Sequence, residues 1–296
     1  MNKKLAGVFI PVITPFTDQK VDLGKLAHNI EKADKTSIAG YMPLGSNGEF
    51  AHMSDEEQLS VLRTIKKHAG KDKTLMVGIA RQSAYSTIEF GKRVIEEGVD
   101  FVSVLTPSYY TSSMTDDALI RYYTTVADNM TVPVLLYNCP KFSAGLRLSE
   151  NVVSELSKHP NIAGMKDTSK GNILSYLSVT DRKDFDVIAG SIENFLEGLK
   201  HGASGGVLSM ANYQPEECGR IYHLFVNGQQ QEAEELNDKL IALNKAGAGK
   251  YGVAGVKAGC DIFGFQGGEV RIPLQDCTPQ QREEIRKAFA DAGYPV

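Results

Sequence analysis

Lys166 closes a short apolar run, Ile162-Ala163-Gly164-Met165, and is followed by Asp167, Thr168 and Ser169. Desolvation at the end of a buried strand disfavours the ammonium form and lowers its pKa, and a neutral amine attacks carbonyl carbon. The plainer reading is an ion pair with a neighbouring carboxylate, Asp167 or Glu193, and the pattern alone supports both readings equally. Tyr137 ends a second apolar run that starts at Val134; its phenol suits a proton relay, or simply a satisfied hydroxyl in the core. Gly45-Ser46-Asn47-Gly48-Glu49 places two short polar side chains between glycines. Such a turn can cradle a carboxylate in its backbone N–H groups, although taken alone it reads better as an ordinary strand–helix loop. Tyr109 and Tyr110 follow Pro107, where they serve a site, an interface or the bare surface. Cys139, Cys218, Cys260 and Cys277 form no CxxC pair, and the histidines show no zinc spacing, so no metal is expected.

These residues need elements to position them. Short apolar runs occur at Val8–Val12, Gly40–Leu44, Leu75–Ile79, Phe101–Leu105, Val134–Tyr137, Ile162–Lys166, Asp186–Ala189 and Gly206–Ser209. They are nearly continuous in apolar character, as strands of a parallel sheet buried on both faces are. Helix patterns lie between them. Ser54-Asp55-Glu56-Glu57 is a capping box for a helix to about His68, and Ser83, Thr115 and Ser149 sit where N-caps belong. Pro215 opens another helix, while Gly70, Gly98 and Gly202 follow helix ends, where a left-handed residue is expected. This alternation predicts a (β/α)₈ TIM barrel, and no GxGxxG turn supports an open nucleotide-binding sheet. The barrel is expected over residues 1–225. A helical extension packed on it is expected over 226–296, with helices at Gln229–Ala246, at Tyr251–Phe263 and from the capping box at Thr278.

In such barrels chemistry collects at the C-terminal ends of strands. Those ends carry Ser46 and Asn47, Tyr109, Tyr137 and Phe142, Lys166 and Thr168, Gly190 and Glu193, and Ser209. The chain has 296 residues, a net charge of −4 and no cluster of Lys and Arg, so neither nucleic acid nor a membrane surface is an expected partner. The N-terminal apolar stretch contains Pro11 and reads as a first strand, not a secretion signal; with no disulfide pattern, a cytoplasmic location is expected.

Three motifs in order, Gly45-Ser46-Asn47-Gly48-Glu49, Tyr137-Asn138-x-Pro140 and Gly164-x-Lys166-Asp167-Thr168-Ser169, carry a resemblance over essentially the whole chain. The sequence resembles the dihydrodipicolinate synthase/N-acetylneuraminate lyase family of class I aldolases. The resemblance implies that Lys166 forms an imine with the 2-oxo group of pyruvate or a pyruvate-derived acid, and that Tyr137 relays protons. It implies that Ser46 links Tyr137 to a second tyrosine, Tyr109, which in many members reaches in from a neighbouring subunit. The N–H groups of Ser46 and Asn47 would hold the carboxylate. No metal or organic cofactor is implied, and the expected assembly is a homotetramer built as a dimer of dimers.

Departures from the family pattern bear on substrate. The synthases carry an Arg two residues after the motif proline, where this chain has Phe142. Phe cannot make the bidentate pair that a second carboxylate needs, and Lys141 offers only a point charge. Asn47 stands where the family usually has a second Thr. Glu193 and Ser209 match positions that hold the polyol tail in N-acetylneuraminate lyases, although Glu193 also suits the first turn of a helix. The expected reaction is therefore aldol cleavage of a 2-keto-3-deoxy sugar acid or sialic-acid-like compound to pyruvate and an aldehyde. Three alternatives stand beside it: 4-hydroxy-tetrahydrodipicolinate synthase, disfavoured by Phe142; a dehydratase sharing the imine; and a non-catalytic barrel that senses 2-oxo acids. The last is opposed by the intact set of Lys166, Tyr137 and Ser46.

Overall fold

Each of the eight expected apolar runs forms a strand buried along its whole length: β1 (Gly7–Ile10), β2 (Gly40–Tyr41), β3 (Thr74–Gly78) and β4 (Phe101–Leu105), then β5 (Val134–Asn138), β6 (Ile162–Asp167), β7 (Asp186–Ala189) and β8 (Gly205–Val207). The structure, a computed structural model, describes residues 3–180 and 184–296. The strands neighbour one another in the order β1-β8-β7-β6-β5-β4-β3-β2, which closes into a parallel barrel. A short antiparallel hairpin, Phe16–Thr17 with Lys20–Val21, follows β1.

Helices alternate with the strands as the (β/α)₈ reading requires: α1 (Leu23–Ala33), α2 (Asp55–His68), α3 (Ala84–Glu96), α4 (Asp116–Asp128), α5 (Glu150–Leu156), α6 (Ile173–Ser178), α7 (Ile192–Lys200) and α8 (Pro215–Val226). Three more follow: α9 (Gln230–Ala246), α10 (Ala248–Ile262) and α11 (Pro279–Asp291). Ser54 caps α2 in a full capping box with Glu57, and Ser83, Thr115 and Ser149 each accept a backbone N–H as N-caps. A cap of this kind is worth about 1 kcal/mol. Among the described residues no helix is long and apolar enough to cross a membrane.

Some boundaries differ from expectation. β2 ends at Tyr41, three residues early, because the chain turns through a left-handed Leu44 (φ 59°). β8 ends at Val207, and Ser209–Asn212 coil into a 3₁₀ turn. Gly98 and Gly202 have positive φ, but Gly70 does not. Gly70 instead donates its N–H to Asp34, in a conformation open to other residues. Within α10, which starts at Ala248 where Tyr251 was expected, Gly252 (φ 59°, ψ −139°) breaks the helix in a region open only to glycine.

Two compact parts divide the contacts. One comprises Thr74–Val207 with the N-terminal residues up to Gly7; the other comprises Val8–Lys73 with Leu208–Val296. The C-terminal helices thus belong to the second part, together with the turn that carries Ser46 and Asn47.

Candidate active site

In the part built on Thr74–Val207, strand register decides which side chains meet. Leu105 on β4 pairs with Tyr137 on β5, Tyr137 with Lys166 on β6, and Lys166 with Ile188 on β7. Register partners on parallel strands share a face, so these four side chains form one row. Lys166 is 5% exposed and its Nζ lies 4.2 Å from the centroid of the Tyr137 ring. Burial lowers the pKa of this amine to about 8, with the nearby Cys139 thiol acting in the opposite direction. A substantial fraction of Lys166 is therefore neutral in mildly alkaline water, which an exposed lysine is not.

The next residue on each strand faces the other way. Asn138 and Asp167 pair in register and are fully buried toward the helices. Asn138 Nδ2 donates to Asp167 Oδ1 at 2.8 Å and to the Tyr176 hydroxyl of α6 at 3.1 Å, while Asn138 Oδ1 accepts the Leu148 N–H. The backbone N–H and the hydroxyl of Ser169 both donate to Asp167 Oδ1. Burial still raises the Asp167 carboxyl above its usual range, against these donors. Asp167 thus serves the wall behind the strands, and the Lys166–Asp167 ion pair weighed from sequence is excluded by alternation. The row toward the helices locks β5 to β6, and so fixes how Tyr137 sits beside Lys166.

The end of β7 is packed against the end of β6. Gly190 N–H donates to Asp167 O at 2.6 Å, and a Cβ on Gly190 would fall 2.3 Å from Thr168 Cγ2 and 2.7 Å from Asp167 O. Thr168 in turn donates through both its N–H and its hydroxyl to Asn138 O. Gly190→Ala is expected to cost about 1–3 kcal/mol of stability, the range for overpacking. A denaturation midpoint unchanged from the parent would contradict this close contact.

Other candidates in this part stand at its surface. Tyr109 and Tyr110 are 78% and 69% exposed and pack edge to face, and Gln82 Oε1 accepts the N–H groups of Ser108 and Tyr109. Phe142 is 48% exposed at the end of a 3₁₀ turn after β5. Glu193 lies in the first turn of α7 and is exposed.

The second part holds the glycine-flanked turn. Ser46–Gly48 form a 3₁₀ turn after β2, and Thr14 Oγ1 donates to Gly48 O at 2.8 Å. Asn47 Nδ2 donates to Ser209 Oγ at 2.8 Å, so two residues singled out separately in the sequence are brought together. Asn212 supports the Ser209 turn from below: its side chain donates to Pro11 O and Ser209 O and accepts the Ile13 N–H.

A family model described as the Dihydrodipicolinate synthetase family matches residues 4–292. The chain belongs to that family. A probable mitochondrial 4-hydroxy-2-oxoglutarate aldolase of Emericella nidulans is 31% identical over 97% of this chain and 94% of its own length. A 4-hydroxy-tetrahydrodipicolinate synthase of Caldicellulosiruptor saccharolyticus is 30% identical over 98% of both chains. The crystal structure of a dihydrodipicolinate synthase from Thermotoga maritima superposes with a TM-score of 0.92 at 22% identity, covering 98% of this chain and 99% of that one. This dihydrodipicolinate synthetase-family chain is thus a member of a group of pyruvate-dependent aldolases and lyases with the (β/α)₈ barrel fold.

Sequence reasoning missed the Asn138–Asp167–Ser169–Tyr176 network and the proximity of Cys139 to Lys166. A signal for the first was present: polar residues next to Tyr137 and Lys166 on buried strands must face the helices and find partners there.

Proposed function

We propose that the protein is a Schiff-base lyase that cleaves a hydroxylated 2-oxo acid to pyruvate and an aldehyde. The observation that carries this reading is the Lys166 amine, 5% exposed and held 4.2 Å from the Tyr137 ring centroid. The neutral amine attacks the C2 carbonyl, and loss of water leaves an imine. The Tyr137 hydroxyl gives its proton to the imine nitrogen, and the resulting iminium draws electrons from the C3–C4 bond as the Tyr137 phenolate takes the proton of the C4 hydroxyl. The aldehyde departs and leaves an enamine, where an unassisted cleavage would leave a carbanion. Protonation at C3 and hydrolysis release pyruvate and regenerate Lys166. The roles assigned to Ser46 and Asn47 are to hold the substrate carboxylate, and Ser46 further serves the proton relay. Neither a metal nor an organic cofactor is part of this scheme.

Phe142 favours an aldehyde partner without a second carboxylate, since a guanidinium fork is missing there. Glu193 and Ser209 are assigned to the hydroxylated tail, with Thr168 and Gly190 as further substrate-binding positions, which makes a 2-keto-3-deoxy sugar acid or a sialic-acid-like compound the proposed substrate class. The exposed Tyr109 suits contribution to a neighbouring subunit of a homotetramer. Four unpaired, buried cysteines suit the cytoplasm.

Incubation with pyruvate and borohydride, followed by digestion, is expected to add the reduced pyruvyl mass at Lys166; full pyruvate occupancy without that adduct would refute the mechanism. A panel of sugar acids should yield pyruvate. Cleavage of none, with robust condensation of pyruvate and aspartate semialdehyde, would transfer the protein to the synthase reading. Because only the neutral amine attacks, the trapping rate is expected to rise with pH through about 8 and then level off. A flat profile between about pH 6 and 9 would contradict a rate set by this amine.

A further inference from the structure

Glu49 and Lys257 form an ion pair that solvent does not reach: each side chain is 1% exposed, and Nζ lies 2.6 Å from Oε1. Glu49 is also the residue that ends the Ser46–Gly48 turn. It adopts a left-handed conformation (φ 55°, ψ 35°) and donates its N–H to Ser46 O at 3.2 Å. A residue with a side chain enters this region only at a cost, and such strain persists where surrounding contacts over-determine it.

The contacts on Glu49 do so. Oε1 takes the Lys257 ammonium, and Oε2 accepts the Arg271 N–H at 2.9 Å and lies 3.4 Å from His52 Nδ1. The Arg271 guanidinium is clamped by both oxygens of Glu57 at the start of α2 and by the carbonyls of Gln19 and His52. Lys257 also donates to Glu269 O, and its Nζ sits 4.6 Å from the Phe16 ring centroid. Lys257 lies in the segment of α10 that follows the break at Gly252, and Gly267 lets the returning chain pass: a Cβ there would lie 2.1 Å from Lys257 O. A buried ion pair is weak evidence for stability, because an apolar pair of similar volume usually serves as well or better. What this pair supplies is a fixed direction for the residue that closes the turn.

We propose that Lys257 is a positioning residue for the Ser46–Asn47 turn, acting through Glu49 to aim the turn at the substrate carboxylate. The inference rests on the reading of that turn as the carboxylate cradle. It makes α10 a determinant of how tightly a 2-oxo acid is held, with no contact to the reacting atoms.

The experiment measures the pyruvate concentration that gives half-maximal borohydride trapping at Lys166. It compares the full-length parent with Lys257→Met and with the charge-neutral double variant Lys257→Met/Glu49→Gln. Both variants are expected to raise that concentration at least about ten-fold, the scale of one lost hydrogen bond to a carboxylate. The limiting trapping rate at saturating pyruvate should stay within about two-fold of the parent, since the amine itself is unaltered. Phe289→Leu, a change in the packed C-terminal core, serves as a control matched for lost thermal stability and is expected to keep the parent's half-saturation. A half-saturation unchanged in a folded variant overturns the proposal, and so does an equal rise in the control. If the single variant does not fold, the double variant decides; failure of both to fold marks the pair as purely structural. A parent that pyruvate saturates without trapping at Lys166 fails the underlying reading instead, and this inference falls with it.

Discussion

Lys166→Met is expected to lose borohydride-trappable pyruvate entirely and to reduce aldol cleavage by at least about 10⁴-fold, the scale on which losing a covalent nucleophile falls. Methionine has nearly the length of lysine and no amine, so the loss reads chemistry and not a cavity. Stability should move the opposite way. Burial lowers the lysine pKa from 10.5 to about 8 in the folded protein. Below about pH 8 both folded and unfolded chains hold the proton, and the folded state carries the full cost of a desolvated charge. Between about 8 and 10.5 only the unfolded chain is protonated, so parent stability rises with pH across that window. The variant lacks this cost, and its advantage in melting temperature over the parent should be largest below pH 8 and shrink toward pH 10.5. Equal melting temperatures at all pH values, or residual trapping in the variant, would each contradict the account.

Tyr137→Phe should separate binding from proton transfer. The ring over which the Lys166 amine sits is kept, while the phenolic oxygen is gone. Pyruvate should still be trapped at Lys166, but more slowly, and turnover should fall by about 10²–10⁴-fold, the usual contribution of a positioned acid or base. Since the ring still fills its place, the loss of stability should be about 1 kcal/mol, that of one hydrogen bond. Turnover within a few-fold of the parent would remove Tyr137 from the relay and leave it a packing residue beside the amine.

The barrel was legible because strands buried on both faces must be apolar throughout, and each run from Val8 to Ser209 answered to that requirement within a few residues. Strand ends were less legible. Leu44 turns left-handed and Ser209 enters a 3₁₀ turn for reasons of tertiary packing that no local propensity carries. At the site, the row of Tyr137 and Lys166 followed from their places at strand ends, but period alone could not choose between a reactive amine and an ion pair. Alternation, once the register was known, removed Asp167 from the choice. The buried pair of Glu49 and Lys257 was illegible for a different reason: its members are 208 residues apart in sequence. Only the folded second part, with the break at Gly252, brings them within reach.

The opposed facing of residues 166 and 167 makes the end of β6, from Gly164 onward, intolerant of a change in its length. Ala163 is already an extra residue in the pairing of β5 with β6, but from Gly164 to Asp167 the register is continuous, and insertion or deletion of one residue there would exchange the two side chains. The carboxylate would then point where the amine belongs, and the amine would lie against Asn138 and Tyr176 in a lattice of hydrogen bonds built for an acceptor. Length variation among relatives should therefore be tolerated in the loops on either side of this strand and at the irregularity around Ala163, and excluded from the stretch that follows it.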